Sequence, residues 1–231
     1  MNSFTPTARS RAKRLHERAR YDEAAVFAAL DAAFIAHIGY VIDGQPYVTP
    51  TAYWRSGRHL YWHGSSASRM LRNQAAGVPV CVTVTQLDGL VLARSGFHHS
   101  LNYRSVMAFG TARIVDDIEE KARELDRFID RLYPGRRATL RPNEAQEIKA
   151  TTLIVMEIEE AAVKTRSGGP KDDETDYARD CWAGVIPIRQ VIEAAVHDPL
   201  RRADVPFPMS LQAYAIGAPI DAVLRDLATA D

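Results

Sequence analysis

The sequence predicts a mainly β protein, an antiparallel barrel with peripheral helices. Six or seven strand-like segments follow one another closely between residues 34 and 166, and several are joined by tight-turn sequences. Helical segments stand at the start or are inserted late. Closely spaced strands without alternating helices are typical of an antiparallel barrel and not of a parallel α/β sheet.

The overall composition argues against a nucleic-acid-binding, membrane-spanning or disulfide-rich protein. The chain has 231 residues with 29 basic and 29 acidic side chains, so no net charge attracts it to nucleic acid or to an anionic membrane. No apolar run approaches the ~20 residues of a membrane span, and no apolar signal core opens the chain. Cys81 and Cys181 stand alone, without a disulfide or zinc pattern. We therefore expect a cytoplasmic protein that binds neither nucleic acid nor membrane.

An arm and a helix precede the barrel and form a predicted N-terminal segment, residues 1–33. Basic residues interleaved with Ala and Leu over residues 7–22 indicate an arm that is either solvated or braced against a partner subunit. The stretch DEAAVFAALDAAF (Asp22–Phe34) begins with acidic residues and has apolar residues at helical spacing, which predicts a helix.

A meander follows. The patterns predict strands over Phe34–Ile42, Tyr47–Trp54 and His59–His63, joined by the turn sequences DGQP and RSGR. A short helix is expected after GSSAS. The β-branched run Val78–Gln86 predicts the next strand, with a turn at Asp88-Gly89 into another.

The second half alternates long strands and helices. We expect a strand over Asn102–Val115, an amphipathic helix over Asp116–Tyr133 and a short helix with Pro142 in its first turn. Thr151–Arg166 is expected to form one last long strand. Residues 189–231 are predicted to be a C-terminal tail that packs on the barrel or on a partner.

The stretch LYWHGSSASRMLRN (Leu60–Asn73) is the first candidate site. A helix N-terminus offers unpaired N–H groups and a partial positive charge, which bind phosphate. Hydroxyls of Ser65, Ser66 or Ser68 would add donors, and Arg69 could contact two phosphate oxygens. The alternative is an ordinary serine cap with the remaining serines solvated.

Four other features carry open alternatives. His63 is either structural or a ligand-binding group beside the proposed anion site. Arg104, inside a strand, either binds an anion or is exposed to solvent. Trp182 either covers an aromatic ligand or packs at the edge of the barrel. His98 and His99 point to opposite strand faces and make a poor chelate, so we expect no metal site.

Two charged segments precede Trp182. Lys164 and Arg166 alternate, so we expect them to share one strand face. The acidic run Asp172–Asp176 is expected to be solvated. No glycine-rich nucleotide-binding motif is present.

Several segments, in order, resemble one family: DGQPYVTPTAYW, LYWHGSSASRML, PVCVTVTQLDGLVLARS, HHSLNYRSVMAFGTA and VKTRSGGPKDDETDYARDCWAGVIPI. They resemble the pyridoxamine-phosphate-oxidase-like superfamily of FMN-binding split barrels, and in particular its nitroimidazole-reductase-like branch. The resemblance implies a six-stranded antiparallel split β-barrel over residues 34–188. It also implies a homodimer with FMN in a groove between subunits.

The resemblance carries roles to individual positions. It implies that the backbone of the strand Thr49, Pro50, Thr51, Ala52 and Tyr53 faces the flavin ring, and that Ser68 and Arg69 hold its phosphate. Ser65, beside them in the local pattern, is a further candidate for cofactor binding. It places Arg104 and Ser105 near the ring or the ribityl chain. It places Trp182 near the flavin and His63 at the active site.

The function implied is an FMN-dependent oxidoreductase that passes electrons from a reduced nicotinamide to a small organic acceptor, with His63 bonding or protonating that acceptor. The chain reads VTPTAYW where oxidases of the pyridoxal vitamer carry an arginine-rich strand, which argues against pyridoxamine phosphate as substrate. The alternatives are a flavin-binding carrier or sensor without catalysis, and a haem-binding split barrel suggested by His98 and His99.

Overall fold

A ring of six antiparallel strands forms the centre of the computed structural model, which describes residues 2–202 and 204–229. The strands of this part of the chain are β1 (Ala19–Arg20), β2 (Ile35–Ile42), β3 (Gln45–Ser56), β4 (His59–Ser65), β5 (Val78–Leu92), β6 (Ser100–Ile114), β7 (Thr151–Glu157), β8 (Glu160–Arg166) and β9 (Gly184–Pro187). Its α-helices are α1 (Glu23–Asp31), α2 (Arg69–Ala75), α3 (Ile118–Leu132), α4 (Ala145–Ala150) and α5 (Ile220–Ala228).

The ring runs β5–β2–β3–β4–β7–β6 and closes because β6 also pairs with β5. Strands β8 and β1 extend the sheet beyond β6, and β9 extends it beyond β5. Every pairing is antiparallel. The predicted mainly β fold with a six-stranded antiparallel barrel and peripheral helices is confirmed.

Alternating side chains fill the ring. The indole of Trp62 and the side chains of Ile38, Leu60 and Met156 are fully buried inside it. Each such side chain contributes roughly 1.5–3 kcal/mol by leaving water. A second, smaller cluster lies outside the ring under α3 and consists of Trp54, Tyr61, Val115, Leu153 and Val155, with Phe128 packed against it.

The N-terminal helix and arm pack on the barrel of their own chain. Asp22 caps α1 by accepting a hydrogen bond from the Ala25 N–H at 2.9 Å. Phe4 is buried against Phe27, and the Arg9 guanidinium donates to Glu160 at 2.6 Å. The arm is therefore anchored to β8 of the same chain.

The predicted turn at Asp88-Gly89 is wrong. Strand β5 runs straight through these residues, with one register irregularity between Leu87 and Gly89. A Cβ on Gly89 would lie 2.9 Å from the Ile186 carbonyl oxygen, so glycine here permits the close approach of β9. A bulge and a turn share the same local sequence, and the neighbouring strands on both sides determine which forms.

The predicted single strand Thr151–Arg166 is also wrong, because it divides into β7 and β8. The Ile158 N–H donates to the Arg58 carbonyl and the Glu159 N–H donates to the Phe109 carbonyl at this bend. The first half thus pairs with β4 and the second half with β6. This change of partner ends β7, which pairs with β6 inside the ring, and begins β8, which extends the sheet beyond β6.

The remaining helices differ little from expectation. The predicted helix over Asp116–Tyr133 forms as α3, and Asp117 caps it by accepting from the Glu120 N–H at 2.6 Å. Helix α4 begins after Glu144, which forms a capping box with Glu147, so Pro142 lies before the helix and not in its first turn. In the described ranges we find no helix with both the length and the apolarity needed to cross a membrane.

The C-terminal tail packs on the barrel. Val191 bridges to Pro219, and the Tyr214 hydroxyl donates to the Leu132 carbonyl at the end of α3. Asp221 of α5 accepts a hydrogen bond from Arg104 of β6 at 3.0 Å. These contacts join the tail to two different parts of the fold.

We predict that Gly110→Ala destabilises the protein by about 1–3 kcal/mol, the usual cost of overpacking. A Cβ on Gly110 would overlap the Glu157 carbonyl oxygen and lie 2.7 Å from Met156 Cγ, where β6 passes the bend between β7 and β8. The measurement is the urea midpoint. Gly96→Ala is the control, since nothing lies within 4 Å of a Cβ there. Equal midpoints for the two variants would contradict the proposed packing.

Candidate functional site

The barrel is split along one side of β3. Strand β2 pairs with β3 over residues 45–52, whereas β4 pairs only with Tyr53–Ser56. No other described strand pairs with the outer side of residues 45–52, which we call the β3 edge. An unpaired strand edge presents N–H and C=O groups that another molecule can bind.

The serine–arginine turn, residues 65–69, is brought to this edge. The Arg69 guanidinium stacks over the ring of Tyr47, 4.7 Å from its centroid, and Tyr47 in turn stacks on Tyr40. Among the described residues no carboxylate forms an ion pair with Arg69. An exposed guanidinium held by an aromatic ring remains available to an anion.

Two of the three serine hydroxyls of the turn act as acceptors. Ser68 caps α2 by accepting from the Leu71 N–H at 3.4 Å, and Ser65 accepts from the Ala67 N–H at 3.2 Å. The capping interpretation is therefore correct for Ser68. A hydroxyl that accepts from a backbone amide retains its own O–H to donate. Capping and anion binding are thus compatible at this turn.

The predicted strand residues divide between two faces of β3. The Thr49 hydroxyl lies 3.0 Å from the Tyr40 hydroxyl, and Thr51 is half-buried. Pro50 and Ala52 alternate with them and lie on the outer face. These four belong to the β3 edge.

Tyr53 belongs to the core instead. Its side chain is buried, its hydroxyl donates to the Leu30 carbonyl, and burial raises its pKa well above the usual range. Its N–H donates to the Phe34 carbonyl. Tyr53 therefore anchors α1, and its position argues against the predicted cofactor contact.

His63 lies away from the serine–arginine turn. Its ring packs against Phe128 at 4.7 Å and Trp54 at 5.9 Å, under α3, and burial lowers its pKa. The neighbouring Trp62 points to the opposite face of β4 and donates to Gln74 of α2 at 2.8 Å. The structure thus places His63 and α2 on opposite faces of β4.

The positive charge of Arg104 is balanced by two carboxylates of the same chain. Its guanidinium bonds Asp88 at 2.7 Å and Asp221 at 3.0 Å. Ser105 follows it on the outer face of β6, between Thr85 and Lys164 of the adjacent strands. The two carboxylates supply the counter-charge that the sequence analysis assigned to a bound anion or to solvent.

The loop after β8 is held by a buried pair. The Asp172 side chain has no exposed surface and accepts hydrogen bonds from the Arg94 N–H at 2.8 Å and its guanidinium at 3.1 Å. The expectation of a solvated acidic run is wrong at this position. Trp182 is 66% exposed, and a Cβ on Gly184 would lie 2.7 Å from its ring.

Arg166 is a buried cation that binds only neutral oxygens in its hydrogen bonds. It donates to the Asn102 side-chain oxygen and to the Gly169 carbonyl at 3.2 Å, and burial lowers its pKa. Lys164, on the same strand face as expected, donates to the Arg14 carbonyl. These contacts fix the start of the loop that leads to Trp182.

The outer face of β2, β3 and β6 carries exposed apolar side chains. The exposed fraction is 43% for Ile35, 53% for Val41, 67% for Val48 and 48% for Met107. The register places Val48 opposite Gly39 and Met107 opposite Thr83, so these strands share one face. Exposed apolar patches of this kind mark interaction surfaces.

A large apolar cleft lies between the tail and the end of α3. Its volume is ≈ 630 Å³, within the range of about 300–1,000 Å³ that is common for ligand pockets. Its apolar lining includes Phe34, Leu132, Ile192, Phe207, Leu211 and Leu224. His197 is among its few polar lining residues. No local pattern in the sequence indicates this C-terminal cleft, because its walls come from segments distant in the chain.

Three further histidines lie elsewhere. His98 approaches Asp173 at 3.3 Å, and His99 Nδ1 lies 2.8 Å from the Ser95 carbonyl oxygen. In the residues that the structure describes, no cluster of three or more His, Cys, Asp or Glu side chains is arranged to hold a metal ion. His16 is exposed beside Glu17.

The closed six-strand ring with an unpaired β3 edge defines a split-barrel protein. The family model described as pyridoxamine 5'-phosphate oxidase matches residues 22–165. The chain belongs to this family and to the split-barrel superfamily named after it, as predicted.

Two solved structures are similar over nearly the whole chain. The flavocytochrome Anf3 from Azotobacter vinelandii is 45% identical, covers 93% of this chain and 100% of its own, and has a TM-score of 0.87. The FAD and heme binding protein from Mycobacterium smegmatis is 34% identical, covers 88% and 98%, and has a TM-score of 0.83.

A third structure, named for 5-nitroimidazole antibiotic resistance, comes from Bacteroides thetaiotaomicron VPI-5482. It is 21% identical, covers 63% of this chain and 85% of its own, and has a TM-score of 0.51, which shows a shared fold alone. No curated protein matches the chain.

Asp221 links the tail to β6, and its contribution to the stability of the fold is expected to depend on pH. Burial would raise its pKa, but hydrogen bonds from Arg225 and Arg104 more than offset this, and its pKa lies below the usual value. A carboxyl with a lowered folded-state pKa stabilises the fold above its unfolded-state pKa, and this contribution is lost as pH falls through the folded value.

We therefore expect Asp221→Asn to lower the free energy of unfolding by about 1 kcal/mol at neutral pH and by less under acid conditions, below about pH 4. Urea unfolding across pH measures this. Asp204→Asn, in an exposed pair with Arg202, is the control with little expected effect. A difference between Asp221→Asn and the unmodified protein that persisted unchanged to the acid limit would contradict the linkage.

Proposed function

We propose that this protein is a flavin- and haem-binding oxidoreductase, with the flavin at the β3 edge. One observation carries the flavin site: the exposed Arg69 guanidinium and the Ser65 and Ser68 hydroxyls converge beside an unpaired strand edge. The similarity to a flavocytochrome and to an FAD and heme binding protein supports the choice of cofactors.

Each part of the site would bind a different part of the flavin. Arg69, Ser65 and Ser68 would hold phosphate oxygens by charge-assisted hydrogen bonds. The N–H and C=O groups of Thr49, Pro50, Thr51 and Ala52 would bond the polar edge of the ring system. The flavin, when bound, accepts hydride and releases electrons, while the protein sets its orientation and excludes water.

Electrons would enter from a reduced nicotinamide and leave to a small organic acceptor. A haem bound to the same chain would allow one-electron transfer as well, a chemistry that flavins and haems share. His63, buried under α3, is a poor candidate for direct contact with an acceptor at the β3 edge. We therefore assign the redox chemistry to the cofactors and not to His63.

The flavin is proposed to be either FMN or FAD. The resemblance to the superfamily predicts FMN, while the Mycobacterium smegmatis relative is named for FAD. Both flavins carry the same ring, ribityl chain and first phosphate, so both fit the same contacts. Extraction of the bound cofactor and chromatography against both standards distinguishes them.

We further propose a homodimer that covers the outer face around Val48 and Met107, as the resemblance implies. Apolar side chains on β2, β3 and β6 would be buried there. The β3 edge adjoins this face, so a second subunit would help enclose the flavin. Both cysteines are free, in keeping with the proposed cytoplasmic location.

A flavin-binding carrier or sensor without catalysis is the second candidate. The observation in its favour is that His63, the predicted catalytic side chain, packs against Phe128 and Trp54. Such a protein would hold flavin that no nicotinamide reduces.

The visible spectrum of the purified protein tests the function. We expect flavin bands and a haem Soret band, and bleaching of the flavin bands by a reduced nicotinamide without air, followed by recovery when an acceptor is added. Bound flavin that the nicotinamide leaves oxidised would favour the carrier. Colourless protein that takes up neither cofactor would contradict the proposal.

Arg69→Ala tests the phosphate site. Loss of a charge-assisted contact is expected to weaken flavin binding by about 1.5–3 kcal/mol, roughly tenfold to a hundredfold. Arg72→Ala, an exposed arginine in the same helix, is the matched control with unchanged affinity. Flavin titration by fluorescence quenching measures both. Equal affinities for the two variants would remove Arg69 from the site.

A further inference from the structure

We propose that the C-terminal cleft is the haem pocket and that His197 is the protein ligand to the haem iron. This inference rests on the proposed haem binding and adds its location. It is separate from the flavin site, because none of the cleft residues belongs to the β3 edge or to the serine–arginine turn.

The cleft has the volume and the largely apolar lining that a macrocycle such as haem requires. Its volume is ≈ 630 Å³. Its walls are formed by Phe34 at the start of β2, by Leu132 and Tyr133 at the end of α3, and by the tail. Several of these apolar side chains remain partly exposed, with exposed fractions of 45% for Phe207 and 73% for Ile216. A bound macrocycle would remove this surface from water.

A haem also needs an axial ligand, most often a histidine. His197 is the one histidine that lines the cleft in the described part of the chain. Tyr214, another lining residue with ligand chemistry, already donates its hydroxyl proton to the Leu132 carbonyl, and burial raises its pKa. His197 is therefore the residue best suited to the iron.

The other histidines fit this role less well. His63 packs against the rings of Phe128 and Trp54 and does not line the cleft. His98 and His99, which suggested haem in the sequence analysis, do not line the cleft and contact Asp173 and the Ser95 carbonyl instead.

The comparisons agree with a pocket in the tail. The family match ends at residue 165, before the tail begins, so the shared fold does not account for this segment. The similarity to the flavocytochrome covers 93% of the 231 residues, which leaves out about 16 residues and so includes much of the tail. The extra segment and the haem therefore occur together in that protein.

Haemin titration of the apoprotein, followed at the Soret band, tests the ligand. We expect His197→Ala to weaken haem binding by at least about tenfold and to change the spin state of the remaining bound haem, since the iron loses its protein ligand. His16→Ala, an exposed histidine far along the chain, is the control with unchanged binding. Added imidazole is expected to restore the spectrum of His197→Ala.

A second pair of variants tests the pocket without touching the ligand. Ala215 lines the cleft, and the exposed Ala213 two residues away does not. Ala215→Trp is expected to lower haem affinity by at least about tenfold by filling the space, with Ala213→Trp unchanged. Circular dichroism of each apoprotein shows whether it is folded.

The outcomes separate this inference from the proposed function. If the unmodified protein takes up no haem, the proposed haem function fails. If it binds haem with the same affinity and spectrum after His197→Ala and Ala215→Trp, haem binding stands and the location is wrong. Loss of binding in a His98→Ala/His99→Ala double variant, with His197→Ala unaffected, would assign the haem to the other end of the fold.

Discussion

The structure depends on the way in which β4 changes partners. All seven residues of β4 pair with β7, whereas only four pair with β3. The pairing of β4 with β3 therefore ends at Tyr53 and Trp62, so the β3 edge has no partner strand. At the other end of β7 the chain bends at Ile158 and Glu159, and β6 follows it from β7 to β8. One geometric constraint, closure of the ring through β7, thus produces both the barrel and its split.

Charge pairs hold the peripheral segments onto this ring. Asp31 binds Arg55, Asp172 binds Arg94, and Asp221 binds Arg104, so α1, the loop after β8 and the tail are each tied down by an arginine. Arg69 differs from these three, because its guanidinium stacks on Tyr47 and forms no ion pair with a carboxylate in the described ranges. A chain without net charge thus keeps an available cation beside the unpaired edge.

The sequence predicted the elements whose signals are local. The helix at the acidic stretch that begins with Asp22 and the turns between β2, β3 and β4 were predicted from neighbouring residues, and a serine cap before α2 was one of two interpretations of the serine-rich turn. The bulge at Gly89 and the bend at Ile158 were missed, because strands distant in sequence decide them. The interior position of Tyr53 was missed for the same reason.

The site was predicted in part. Resemblance and local pattern identified the serine–arginine turn and the strand beside it, and the structure brings these together. Asp88 and Asp221 lie 16 and 117 residues from their partner Arg104, and Asp172 lies 78 residues from its partner Arg94, so no local pattern reveals these pairs. The C-terminal cleft likewise needs residues from β2, α3 and the tail at once.

One chain is proposed to bind both a flavin and a haem, at two separate sites. The mass of the intact complex is the most direct test of this proposal. Native mass spectrometry of the purified protein should give a dimer that carries one flavin and one haem for each chain. Gentle activation should release the flavin and the haem at their own masses. A bare chain mass, before and after addition of both cofactors, would contradict the account.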